Sequence, residues 1–294
     1  MAVKRSCLPA ASPRYNMEID RGENEAAMSA IPRMTENAPV LLEECNQGVL
    51  RLTLNRPEAR NALSVGLMSA LLDALGRAAK EPEARVVVIS GAGPAFCAGH
   101  DLREMRTDQR REAYERVFAQ CSELMLAMVR LPKPVIAEVH GVATAAGCQL
   151  VATCDLAVAG EDARFATPGV NIGLFCSTPM VALTRALGRK AAMEMLLTGK
   201  LVDAATAQAI GLVNRVVPRA GLRDAVNALA REIAGKSALT VAIGKEAFYR
   251  QAELDLAGAY RYAAEVMTTN MLVRDAGEGI DAFLAKRTPV WHDR

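Results

Sequence analysis

An α/β fold is the class predicted by the 294-residue sequence, and three observations predict it. Apolar runs rich in β-branched residues, RVVVIS at 85–90 and VIAEV at 135–139, read as buried strands. Each runs into glycine and small residues, GAGPAFCAG at 91–99 and HGVATAAG at 140–147, the punctuation expected where a strand turns toward a helix. From about residue 222 to 286 the apolar spacing is helical almost throughout, so alternating strands and helices give way to helices alone.

Taken in order, residues 1–38 mix Pro, Asn, Glu and Met without period and are expected to be a flexible extension, with Met28 and Met34 as later candidate starts. Strands at Val40–Glu44 and Val49–Leu54 flank Asn46-Gln47-Gly48, a three-residue hairpin turn. Ser64 is an N-cap for a helix to Lys80, with Leu67, Leu71, Leu72 and Leu75 at helical spacing, and Pro82 stops it. Arg106–Arg130 reads as one long amphipathic helix whose Tyr114, Val117, Phe118, Cys121, Leu124, Met125 and Met128 serve core packing. Leu131 to Pro134 breaks it and leads into strand, glycine turn, helix and second strand over residues 134–160. Arg164–Ala166 is a short strand, helices begin near Pro179, Thr198-Gly199 forms a C-cap, and Asp203 caps the next helix. The expected division is an extension (1–38), a ββα core (39–221) and a helical C-terminal region (222–294).

Composition narrows the function classes. Lys and Arg number 35 against 33 Asp and Glu, so a net charge of +2 without basic clusters argues against a nucleic-acid surface. The 7 cysteines are odd in number and never form C-x-x-C, which suggests neither a disulfide framework nor a zinc site. A reducing, cytoplasmic setting fits them. No stretch reaches the roughly 18 apolar residues of a membrane span, and the N-terminus has no apolar core like that of a secretion signal.

The glycine turns carry the chemistry. Small residues at Ala98, Gly99, Ala145, Ala146 and Gly147 leave backbone N–H groups unscreened, and a helix start at 146 favours developing negative charge. Two such turns can aim two donors at one oxygen. Tight packing alone would also account for the small residues. No Gly-Lys-Ser/Thr follows, so this is no phosphate loop, and the third glycine of a dinucleotide fingerprint is missing.

LNRPEARNAL at 54–63, PAFCAGHDLREM at 94–105, PVIAEVHGVATAAGCQLVATCDLAVA at 134–159, FATPGVNIGL at 165–174, LGRKAAMEMLLTG at 187–199, AIGLVNRVV at 209–217 and EGIDAFLAKR at 278–287 together resemble the enoyl-CoA hydratase/isomerase family, the crotonases. Their order and spacing cover roughly residues 40–290, and AGHDL, TAAGCQL and FATPGVNIGLFCSTP are similar to a divergent branch. The resemblance implies a spiral of ββα turns and a homotrimer or dimer of trimers assembled through the C-terminal helices. It implies no permanently bound cofactor, the substrate being carried as a coenzyme A thioester. It assigns the backbone amides of Ala98 and Ala146 to hold the thioester oxygen. It puts Gln149 and Gly169 at the positions from which two glutamates activate water in the active hydratases, and neither residue transfers protons at neutral pH. Glu58, Ala59, Arg60 and Ala62, with Asp101 and Lys286, form the expected coenzyme-binding set, Lys286 acting from a neighbouring subunit.

His100 follows the Ala98-Gly99 turn and is the first candidate for a substitute base, its ordinary pKa lying near 6.5. His140 reads as a structural turn residue, Asp101 also as a helix cap, and Cys176 as a weak candidate nucleophile. Three activities remain open: enolate chemistry such as isomerisation with a substitute base, ordinary hydration that is weak or lost, and non-catalytic acyl-CoA binding or scaffolding.

Overall fold

In the computed structural model, which describes residues 38–293, β1 (Leu41–Asn46) and β2 (Val49–Leu54) form an antiparallel hairpin with Asn46 opposite Val49. Its turn is the two residues Gln47-Gly48, at φ 51° and 78°, rather than three. Positive φ at both positions gives the mirror-image turn whose twist matches the flanking strands. The expected extension at 1–38 lies, but for its last residue, outside the described residues.

The sheet continues in parallel through β3 (Val86–Gly91), β4 (Val135–Val139), β6 (Leu156–Gly160) and β9 (Arg215–Val217), in the order β1-β2-β3-β4-β6-β9. A second sheet orders β5 (Val142–Thr144), β7 (Arg164–Ala166) and β8 (Val202–Asp203) as β5-β7-β8. Alternation along β3 divides the core. Val87 and Ile89 join the cluster that holds Leu67, Met68, Leu71 and Leu75 of α1 (Val65–Ala78), while Val86 and Val88 face Leu222, Val226 and Leu229 of α8 (Leu222–Ala234). α8 packs on the sheet, so residues on both sides of the expected boundary at 221/222 share one core.

Caps fall where the sequence places them. Ser64 accepts from Leu67 N–H, Asp203 from Thr206 N–H, and Gly199 adopts the left-handed conformation. The long helix is shorter than expected: α2 (Leu102–Met105) precedes it and α3 is Arg111–Arg130, because the Asp108 carboxylate takes the Arg110 N–H and closes a separate turn. After α8, α9 (Ala238–Gln251) and α10 (Leu256–Met271) bury no residue, and α11 (Arg274–Leu284) buries Asp275 and Ala282. Among the described residues no helix is long and apolar enough to cross a membrane.

Candidate functional site

The two glycine turns pack backbone against backbone. A Cβ on Gly147 would stand 2.1 Å from the Cys97 carbonyl oxygen, and one on Gly99 2.9 Å from the Ala145 Cβ and 3.5 Å from the Ala146 nitrogen. Only glycine permits this approach. Ala145, which precedes α4 (Ala146–Thr153), is held at φ 50°, a strained value for a residue with a side chain. Its N–H donates to Ala166 O at 2.9 Å, tying the helix start to β7.

The expected oxygen-holding pair is only half open. Ala146 is the first residue of α4 and its N–H has no acceptor among the described residues. The Ala98 N–H instead donates to Arg60 O at 3.0 Å, while Ala98 O accepts from the Thr144 hydroxyl at 3.0 Å. Arg60 and Asn61 both have positive φ, which turns the Arg60 carbonyl back toward Ala98. One unsatisfied donor at a helix N-terminus still attracts an oxygen that gains negative charge.

Gln149, one helical turn beyond Ala146, is 4% exposed. Its Oε1 faces the Cys121 thiol at 3.9 Å, and its Nε2 has no partner among the described residues. Gly169, in the 3-10 turn after β7, is buried: a Cβ there would meet Leu174 O at 2.7 Å and Cys176 Sγ at 2.9 Å. The Cys176 thiol thus borders the place where a side chain at 169 would start. Burial pushes this thiol up, with the Gly169 backbone opposing.

Both ring nitrogens of His100 are buried without a partner, and the ring stands edge-on to Phe118 at 5.7 Å. Burial pushes its pKa below the ordinary 6.5, the Leu63 backbone opposing, so the ring is neutral at pH 7. Phe118 also lines a cleft of about 660 Å³ on α3 with Gln109, Tyr114 and Ser122, and neither Ala146 nor Gly169 lines it. His140 holds Gly93 O through Nε2 at 2.9 Å, the structural part expected of it.

The coenzyme-binding candidates are tied together by residues the sequence reading passed over. Arg56 donates to Ala62 O at 2.6 Å and to Asp101 at 2.8 Å. Asn61, fully buried, accepts from Arg56 N–H and donates to Ala92 O and Ala95 O. Asp101 caps α2 as expected, and hydrogen bonds from Arg56 and the α2 amides outweigh its burial and hold its carboxyl below the usual range. Glu58 and Ala59 lie on the 3-10 turn Pro57–Ala59. Lys286 follows α11 with φ 53°, exposed and without a side-chain hydrogen bond among the described residues. An Asn-Ala-Leu after a proline turn was the one available sign that Asn61 matters; Arg56 carried none.

Residues 44–294 match the family described as enoyl-CoA hydratase/isomerase. Enoyl-CoA hydratase domain-containing protein 3, mitochondrial, of Xenopus laevis is 43% identical over 293 residues, 99% of either chain. The human protein of that name is 47% identical over 244 residues, 83% of this chain and 80% of its own. A crystal structure of enoyl-CoA hydratase from Mycobacterium smegmatis superposes with a TM-score of 0.85 at 55% identity, covering 87% of this chain and all of that one. That of human enoyl-CoA hydratase domain-containing protein 3 gives 0.83 at 46%, covering 86% and 100%. The names of the vertebrate relatives place them in mitochondria, which lends no support to the cytoplasmic setting inferred from the cysteines.

Proposed function

The chain belongs to the enoyl-CoA hydratase/isomerase family, and from that premise we propose that it binds acyl-CoA thioesters and stabilises their enolates while hydrating them poorly. The reading is carried by one arrangement: an open Ala146 N–H at a helix start, with Gln149 a turn further on and Gly169 closed in by Leu174 and Cys176. The thioester oxygen rests at Ala146, and charge forming on it during enolisation meets a donor that is already oriented. Ala98 joins when the thioester oxygen displaces the Arg60 carbonyl. Coenzyme A is the substrate's carrier, gripped by the Glu58–Ala62 turn and, from a neighbouring subunit, by Lys286, whose ammonium suits phosphate.

Hydration also needs groups that activate water and deliver a proton, each worth about 10² to 10⁴ in rate. Neither a glutamine amide nor a glycine does this. The protein is therefore expected to bind butyryl-CoA in a calorimetric titration yet to hydrate crotonyl-CoA far more slowly than a two-glutamate hydratase. Gln149→Glu should raise that rate, and Lys286→Glu should weaken the titration. Fast hydration by the wild type, undiminished in His100→Ala, would overturn the reading.

The buried, unpartnered His100 ring favours a second reading, isomerisation with His100 as base. Since its pKa lies below 6.5, such activity would persist as the pH drops from 7 to 6.5 and fall only under more acidic conditions. A profile already falling between pH 8 and 7, or one unchanged in His100→Gln, excludes this base. Binding with no turnover of any thioester would leave the chain a non-catalytic acyl-CoA carrier or scaffold.

A further inference from the structure

We infer that a phosphate dianion, free or as a phosphomonoester, binds between α8 and the β1–β2 hairpin, in a cavity bordered by Arg51, Arg223 and Arg231. This site does not depend on the acyl-CoA reading.

Arg223, Asn227 and Arg231 recur every fourth residue, so they line one face of α8. With Glu44, Gln47 and Arg51 they close a cavity of about 100 Å³. At about 30 Å³ for each water, that space suits one tetrahedral oxyanion. Its floor is built from a buried charge. Arg51 shares a face of β2 with Val49, in the layer where Val86, Val88 and Ile136 pack beneath α8, and its side chain is only 4% exposed. The Glu138 carboxylate and Asn227 Oδ1, the latter at 2.7 Å, hold the guanidinium there. An arginine in an apolar layer costs free energy that a leucine would not.

The charges around the cavity do not cancel. Glu138 answers Arg51 from outside the lining, and Glu44 answers Arg223 at 2.9 Å. Arg231 has no carboxylate partner among the described residues, only Gln47 Oε1 at 3.5 Å. The Arg223–Glu44 pair is more than half exposed on both sides, so solvent weakens it and an incoming anion can take Arg223 over. One positive charge is left over, and guanidinium N–H pairs match phosphate oxygens. A second cleft, of about 370 Å³, shares Gln47 and Arg231 and continues past Gly48 and Arg85, which leaves room for the organic part of a monoester. The site lies across the sheet from the thioester turns. Leu50 and Leu52 of β2 face the core cluster that contains Cys97 and Ala146, whereas Arg51 faces α8.

The test titrates inorganic phosphate and phenyl phosphate calorimetrically into the full-length protein, with sodium chloride keeping the ionic strength constant. One phosphate per chain is expected. Arg231→Gln should weaken binding about tenfold, since a charge-assisted hydrogen bond is lost. Glu44→Gln should tighten it, because the competing carboxylate is gone. Both residues are exposed, so neither change is expected to disturb folding. Lys286→Glu should leave phosphate binding as it is, which separates this site from the coenzyme-binding set. Tighter binding of phenyl phosphate than of phosphate assigns the monoester, with its ring in the second cleft, and equal affinity assigns the free ion; both support the site. No binding at millimolar phosphate overturns the inference, as does an affinity unmoved by Arg231→Gln and Glu44→Gln or abolished by Lys286→Glu.

Discussion

Gly169 decides whether a side chain can be placed at that position at all. Its missing Cβ would lie 2.7 Å from the Leu174 carbonyl and 2.9 Å from Cys176 Sγ, so any side chain forces backbone to move. Gly169→Ala is expected to cost about 2 kcal/mol, as overpacking does, seen as a lower thermal midpoint, and Cys176→Ala should recover only part because the carbonyl remains. Introducing glutamates at both 149 and 169 is therefore a stability problem before it is a catalytic one. The family motifs singled out Gln149 and Gly169 in the sequence. The Arg60 carbonyl on Ala98, the Cys121 thiol on Gln149 and the Arg56–Asn61–Asp101 tie were not legible there, since each joins residues brought together only by the packing of two turns.

Elements that carry a local signal were read well. β2 has the expected bounds, β3 is displaced by one residue, and the Ser64, Asp203 and Gly199 caps stand as expected, because spacing and capping chemistry act over a few residues. β5 was missed because its three residues are strand only through pairing with β7, some twenty positions on. The anchoring of α9 was likewise hidden. Lys245 Nζ reaches Met128 O, Lys133 O and Asp155 Oδ2, and Tyr249 donates to Asp155 Oδ1 at 2.8 Å, pinning the helix to the end of α3 and to the residues that lead into β4 and β6. Burial pushes Lys245 below its usual pKa, with Asp155 opposing. Lys245→Met leaves that carboxylate and both carbonyls without the ammonium, and a loss of about 3 kcal/mol is expected in urea unfolding. A neutral result would mean that the pair contributes nothing net.

The molecule as a whole exposes too much apolar surface to be a comfortable monomer. Leu256, Tyr260, Leu272, Phe283 and Leu284 on and beside α10 and α11 are 72–83% exposed, and Ile172, Leu197 and Leu201 are each 61% exposed. Two different apolar surfaces suit a head-to-tail ring. A trimer or hexamer is expected by light scattering at micromolar concentration, and Phe283→Asp should shift it toward the monomer. A monomeric wild type would contradict this. Helices α10 and α11 follow the sheet and α8 in the chain, so they are synthesised after them. The sheet and α8 can close while α10 and α11 are still inside the ribosome, so the apolar surface of these two helices leaves the tunnel on a body already folded. The trimer or hexamer is therefore expected to form only after these helices are made, and polysomes translating the chain should carry no ring of nascent partners.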